Sequence, residues 1–167
     1  SAGPTDVALL DETIGTNLER TASRYPDIEA LVDVPSGRRW TYAELNAEID
    51  SLARALMSFG IEKGDRVGVW APNCPEWTML QYATAKIGAI LVTINPAYRT
   101  HELAYVLRHS AVRLLVSATE FKNSDYRAMV AEVRPELPDL AEVVFLDTEG
   151  WKRVGNRLHF IATCAVA

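Results

Sequence analysis

Cysteine is scarce. The 167 residues hold two, Cys74 and Cys164, far apart and in no metal-ligand or redox spacing. With no disulfide framework to account for, a reducing cytoplasm is the expected setting, and Cys74 reads as a small packed or partly exposed thiol. Glycine is thin as well, nine residues and none in a cluster. Neither G-x-G-x-x-G nor G-x-x-x-x-G-K-[ST] occurs, which excludes the usual loops that cradle phosphates with backbone amides. There is no G-x-S-x-G elbow and no H-E-x-x-H motif. The three histidines, His101, His109 and His159, make no plausible metal set. Basic residues are scattered, 17 against 22 acids for a net charge of −5. Nucleic acid needs a concentrated positive face, so it is excluded as a partner. The longest apolar stretch near mid-chain, Ile87 to Ile94, falls far short of the roughly 20 residues of a membrane span. Ser1-Ala2-Gly3-Pro4-Thr5-Asp6 has no basic region leading into an apolar run. A soluble protein without a targeting segment is expected.

What is present is a globular composition, 49% hydrophobic and 23% charged, on a chain of single-domain length. Ile14, Leu18 and Ala22 repeat at every fourth position and predict a helix from Thr13 to Tyr25, stopped by Pro26. Glu29 to Val34 reads as a strand, and Pro35-Ser36-Gly37 turns it toward Trp40. Thr41 and Glu44 have capping-box spacing, followed by Leu45, Ile49, Leu52, Leu56 and Phe59 along one helical stripe. Gly60 supplies a left-handed stop. The chain then alternates. Strands are predicted at Arg66–Trp70, Ala89–Ile94, Val112–Val116 and Glu142–Leu146. Helices are predicted at Pro75–Lys86, at His101–His109 with Thr100 as cap, and around Ser124–Val133.

That alternation signifies βαβ units, hence an α/β fold with a mainly parallel sheet flanked by helices. Ala89–Ile94 is apolar on both faces, the pattern of a central strand covered on each side. The loop Asn95-Pro96-Ala97-Tyr98-Arg99-Thr100 leaves the carboxyl end of that strand and enters a helix N-terminus. Open α/β sheets bind ligands at such ends, so this loop is the best ligand-facing candidate. Acid pairs such as Asp27 and Glu29 read as solvated surface, and His109 as a dipole-favoured C-terminal histidine. From Trp151 onward the composition shifts. Lys152, Arg153 and Arg157 are present without any acid, so residues 1–150 form the domain and 151–167 a basic tail.

Several stretches, in order and spacing, resemble the N-terminal portion of the adenylate-forming superfamily, and within it the fatty acyl-CoA synthetases. They are Trp40-Thr41-Tyr42-Ala43-Glu44-Leu45, Gly60-Ile61-Glu62-Lys63-Gly64-Asp65-Arg66-Val67 and Pro72-Asn73-Cys74-Pro75-Glu76-Trp77. Lys86-Ile87-Gly88-Ala89 through Asn95-Pro96 continues the likeness, with Tyr98, Thr100, Glu102 and Leu103 after it. Val112 to Ser117 is similar to the next strand. The likeness runs from about Thr13 to about Gly150, and it implies a partial N-terminal subdomain of the adenylate-forming fold.

The resemblance implies an activity for full-length members. They activate a fatty acid with ATP to an acyl-adenylate, release pyrophosphate and pass the acyl group to coenzyme A, with Mg²⁺ neutralising phosphate charge. It also implies that Asn95, Pro96, Tyr98 and Arg99 line the approach to the acyl or coenzyme A site, and that Arg99 and Arg108 meet coenzyme A phosphates. The family's Ser/Thr/Gly-rich phosphate loop and its adenylation lysine belong to later segments, and the basic tail does not look like the family. The expectation is therefore a truncated ligase, inactive alone and binding none of ATP, Mg²⁺ or coenzyme A tightly, its tail having left the family's reading frame. A non-catalytic acyl- or coenzyme-A-binding or subunit-interaction module is the alternative. An incomplete subdomain is also expected to expose apolar surface and self-associate.

Overall fold

The computed structural model describes residues 10–146. Helix α1 (Ile14–Arg24) leads to a hairpin of β1 (Glu29–Asp33) and β2 (Arg38–Thr41), then to α2 (Tyr42–Ser58). Strand β3 (Arg66–Trp70), α3 (Pro75–Ile87), β4 (Ile90–Thr93), α4 (Thr100–His109) and β5 (Leu114–Ser117) alternate as expected. A two-residue-per-strand hairpin, β6 (Glu120–Phe121) and β7 (Ser124–Asp125), precedes α5 (Tyr126–Val133), and β8 (Glu142–Phe145) comes last. The main sheet is parallel throughout, in the order β4-β3-β5-β8.

Burial on both faces follows from the residues. Leu114 and Val116 of β5 join Val67, Val69 and Val144 in one cluster with α1, α2 and α3. Leu115 and Val143 point the other way and join Leu103, Leu107, Met129, Val130 and Val133 beneath α4 and α5. Each such side chain taken from water stabilises the fold by about 1.5–3 kcal/mol. Val67, Val69 and Leu115 are wholly inaccessible to solvent.

Local chemistry starts and stops the elements. The capping box is present: Glu44 N–H donates to Thr41 Oγ1 at 3.3 Å, and Thr41 N–H donates to Glu44 Oε2 at 2.9 Å. Thr41's backbone N–H, followed by its hydroxyl, holds the Glu44 carboxyl below the usual range. Gly64 and Asp65 lock three strand entrances together. Gly64 N–H donates to Gly88 O at 2.9 Å, and Asp65 O accepts from Ile90 N–H at 2.7 Å. The Asp65 carboxylate accepts from Glu62 N–H and from Arg113 Nη1, and the Glu62 amide leads in lowering its pKa. Lys86 Nζ, on a side chain only 8% exposed, donates to Glu19, Asn46 and Asp50 and so joins α1, α2 and α3. Burial opposes its charge, but the hydrogen bonds it donates to Asp50 and Glu19 prevail and raise its pKa.

At the opposite end of the sheet, Trp70 and Tyr126 stack face to face, ring centroids 3.5 Å apart and planes within 4°. Trp70 Nε1 donates to Asn95 O at 3.1 Å, and the Tyr126 hydroxyl donates to Pro96 O. Burial pushes the Tyr126 phenol up to about 12.

Four expectations need correction. Among the described residues β4 is an edge strand, not a central one: its burial is partial and Ile90 is 52% exposed, because of the described strands only β3 pairs with it. Arg99, not Thr100, is the N-cap of α4, with Thr100 already in helical conformation. The helix expected from Ser124 begins at Tyr126, since Asp125 caps it by accepting from Ala128 N–H at 3.0 Å. Ile14 is exposed, and Gly15 takes its place on the buried face of α1, where its Cα lies against Lys86. The other elements whose bounds were expected from the sequence stand within a residue or two of them, and the β6–β7 hairpin is an addition that the sequence did not signal.

Two measurements test this packing. Gly88 ends α3 at φ 71°, and a Cβ there would lie 3.0 Å from Lys63 Cγ. Gly88→Ala is expected to destabilise by roughly 1–2 kcal/mol, read as a lower urea midpoint at unchanged slope. The folded state favours neutral Tyr126, so its stabilisation is full below the unfolded value of about 10 and fades as pH rises toward the folded one. Phenolate absorbance should accordingly show a late step near pH 12 that Tyr126→Phe removes. A titration in which all tyrosines ionise together near pH 10 contradicts the buried stack.

Candidate functional site

The loop between β4 and α4 is built to hold one shape. Asn95 Oδ1 accepts from Ala97 N–H at 2.9 Å, an Asx turn, and Asn95 O accepts from Tyr98 N–H at 3.0 Å. Trp70 and Tyr126 hold the Asn95 and Pro96 carbonyls from below. Arg99 reaches across to the small hairpin, where its Nη1 donates to Ser124 Oγ. Asn95, Pro96, Tyr98 and Arg99 therefore meet at the carboxyl end of β4, where the sequence places them. Asn95, Ala97 and Arg99 are exposed, while Pro96 and Tyr98 are half-buried.

Arg108 is not brought to this group. It lies in the last turn of α4, about 13.5 Å along the helix axis from Arg99 at 1.5 Å per residue. Its Nη2 donates to Glu136 Oε2 at 2.7 Å. The neighbouring carbonyl of Ser110 accepts from Arg66 Nε, which marks this as the amino end of the sheet. One compact ligand cannot touch both guanidinium groups, although an extended one can run along α4.

The electrostatics of the α4 entrance limit what it can attract. Glu102 Oε2 accepts from Arg99 N–H at 3.1 Å, so a carboxylate of the chain itself already occupies the helix N-terminus. Its own backbone N–H and that of Arg99 hold Glu102 below the ordinary carboxylate range. A phosphate would have to displace or share that cap, leaving the guanidinium of Arg99 as the main attraction for an anion.

Elsewhere the chemistry is sparse. A shallow groove is lined by Leu31, Val32, Asp33, Asn73, Cys74 and Pro75. Burial pushes the Cys74 thiol up, which keeps it protonated and unreactive at neutral pH. His101 and His109 stand at opposite ends of α4, with His109 stacked on Tyr105 at 5.4 Å. Among the described residues no three His, Cys, Asp or Glu side chains converge as a metal set. No described helix is long and apolar enough to cross a membrane. His159 and the basic tail lie outside the described residues.

Sequence reasoning missed the partners of the loop. Trp70 was legible only as the end of a strand, and Tyr126 only as part of a helix. Their convergence joins positions 25 and 30 residues from their carbonyl acceptors, a spacing that carries no local signal.

Residues 18–159 match the AMP-binding enzyme family, so the match continues past Gly150 into the segment set apart by its composition. The mitochondrial medium-chain acyl-CoA ligase ACSF2 of Mus musculus is 41% identical over 158 residues, covering 87% of this chain and 26% of that protein. The putative acyl-CoA synthetase YngI of Bacillus subtilis is 43% identical over 131 residues, covering 78% of this chain and 24% of that protein. The chain thus spans about a quarter of the length of these curated relatives. Among solved structures, the N-terminal domain of FACL13 from Mycobacterium tuberculosis superposes with a TM-score of 0.77 at 27% identity, covering 89% of this chain and 36% of that one. A putative long-chain-fatty-acid CoA ligase from Rhodopseudomonas palustris gives 0.74 at 34% identity, covering 84% and 34%. On a family match across most of its length and on the shared fold, the chain belongs to the AMP-binding enzymes and corresponds to the N-terminal portion of an acyl-CoA synthetase.

Proposed function

We propose that these residues supply part of the N-terminal scaffold of an ATP-dependent fatty-acid–CoA ligase and do not adenylate a carboxylic acid on their own. The observation that carries the reading is the AMP-binding family match, on a chain that holds no glycine-rich phosphate loop among its 167 residues. Adenylation depends on electrostatic stabilisation of a transferring phosphoryl group, which takes convergent donors and cations. The described guanidinium groups at the sheet's carboxyl end are already engaged, Arg99 with Ser124 and Arg127 over the Phe145 ring, and no metal set is present among the described residues. ATP, Mg²⁺, coenzyme A and the fatty acid are accordingly ligands of the complete ligase, none bound tightly by this chain. The contribution of the chain is positional: Asn95, Pro96, Tyr98 and Arg99 form a rigid rim on the approach to the acyl or coenzyme A site, with Arg108 farther along α4. A reducing compartment such as the cytoplasm suits Cys74, a free thiol.

The rigid loop also favours a second reading, a module that binds an acyl chain or coenzyme A, or docks a subunit, without catalysis. Preorganised loops lower the entropic cost of binding.

An ATP–pyrophosphate exchange assay with medium- and long-chain fatty acids should show no exchange above background, and measurable exchange by the purified chain overturns the scaffold reading. Calorimetric titration with coenzyme A should give no saturable heat. Saturable binding that weakens about tenfold in Arg99→Ala, a loss of roughly 1.4 kcal/mol, would instead establish the binding module.

A further inference from the structure

The β4–α4 loop is held at both of its ends by one short segment of chain. At Ser124, in β7, the hydroxyl accepts from Arg99 Nη1, and two residues later the Tyr126 hydroxyl donates to Pro96 O. Asp125 between them caps α5 by accepting from Ala128 N–H. Three consecutive residues thus fasten the start of the loop, its last residue and the first turn of a core helix. Tyr126 is wholly buried and stacked on Trp70, which donates to Asn95 O, so its ring cannot shift without disturbing that carbonyl as well.

The dependence runs in the other direction too. The β6–β7 hairpin has two residues per strand, and among the described residues it pairs with no other strand. A lone two-stranded hairpin is marginal at best in water. Its turn also puts Lys122 at φ 53°, a left-handed conformation that disfavours a side chain. Phe121 packs against the cluster beneath α4 and α5, and the Arg99 bond ties the hairpin to the loop. Each piece supplies contacts that the other lacks.

We propose that residues 95–99 and 120–126 open and close as one cooperative unit, with Ser124 and Tyr126 as the positioning residues that set the loop and the aim of Arg99. Neighbouring pieces that share their stabilising contacts behave as a single unit of local unfolding. Coupling of this kind is reciprocal: loosening the hairpin loosens the loop, and loosening the loop loosens the hairpin. What the unit is for rests on the reading of Asn95–Arg99 as a rim of the ligase site. A site holds its geometry when supporting residues lock the groups that meet the ligand, and Ser124 and Tyr126 have that place here.

Amide exchange in the ligand-free 167-residue chain, followed by nuclear magnetic resonance, tests the coupling apart from the scaffold reading, which pyrophosphate exchange decides. The loop reporters are the Ala97 and Tyr98 amides, bonded to Asn95 Oδ1 and Asn95 O, and the hairpin reporter is the Tyr126 amide, bonded to Thr119 O. Tyr126→Phe keeps the ring and loses the hydroxyl. It and Ser124→Ala should each speed the loop reporters roughly three- to tenfold, the weight of one net hydrogen bond. Arg99→Ala should speed the hairpin reporter by a similar factor, and Ser124→Thr, which keeps a hydroxyl, should match wild type. The Ile90 and Arg113 amides, bonded at the sheet's amino end, should not change in any variant. Unchanged loop reporters in either hairpin variant, or an unchanged hairpin reporter in Arg99→Ala, overturn the proposal. Equal acceleration of the Ile90 and Arg113 amides also overturns it, since that marks general destabilisation, as does a Ser124→Thr variant as loose as Ser124→Ala.

Discussion

Strands β3 and β5 have no solvent-facing side, and the rest of the structure follows from covering them. A strand pair apolar on both faces is stable only between two layers, so α1, α2 and α3 fill one side and α4 and α5 the other. Parallel pairing adds a second condition. Successive strands must be joined by crossovers, which deliver every strand's carboxyl end, and every loop leaving it, to the same edge of the sheet. The Asn95–Arg99 loop therefore lies, by topology and before any side chain is considered, at the edge where open α/β sheets generally hold their ligands.

The residues that carry the family likeness are mostly structural. Gly64, Asp65 and Gly88 fasten the entrances of β3, β4 and β5, through backbone bonds and the Asp65–Arg113 contact. Thr41 and Glu44 start a helix, and Asn95 folds a turn on itself. None of these groups is placed as an acid, base or nucleophile. This division explains how a quarter of a ligase can be identified firmly from its sequence while showing little chemistry of its own. A fold is recognised by where its chain must turn, and catalysis depends on where charges converge.

The loop illustrates how rigidity is imported. Its local signals, Asn95-Pro96 and a following helix cap, define a turn but not its place in space. Two buried aromatic donors define that place, stacked on each other and each bonded to a carbonyl of the loop. Arg99 and Glu102 then divide the local charge, the cation facing the hairpin and the anion filling the helix end.

The alternation of the main helices and strands, but not the β6–β7 hairpin, was legible in the residues alone, as were the capping box at Thr41 and Glu44, the left-handed stop at Gly60 and the parallel α/β class. Each is a local event, governed by periodicity or by a single residue's conformational range. The position of β4 was not legible, because an apolar strand pattern reports burial on two faces but not the number of neighbours at its edges. Nor were the Trp70–Tyr126 grip on the loop, the Lys86 junction of three helices, or the separation of Arg99 from Arg108. Those depend on contacts between residues far apart in the chain, and only the packing of the helices on the sheet decides which of them meet.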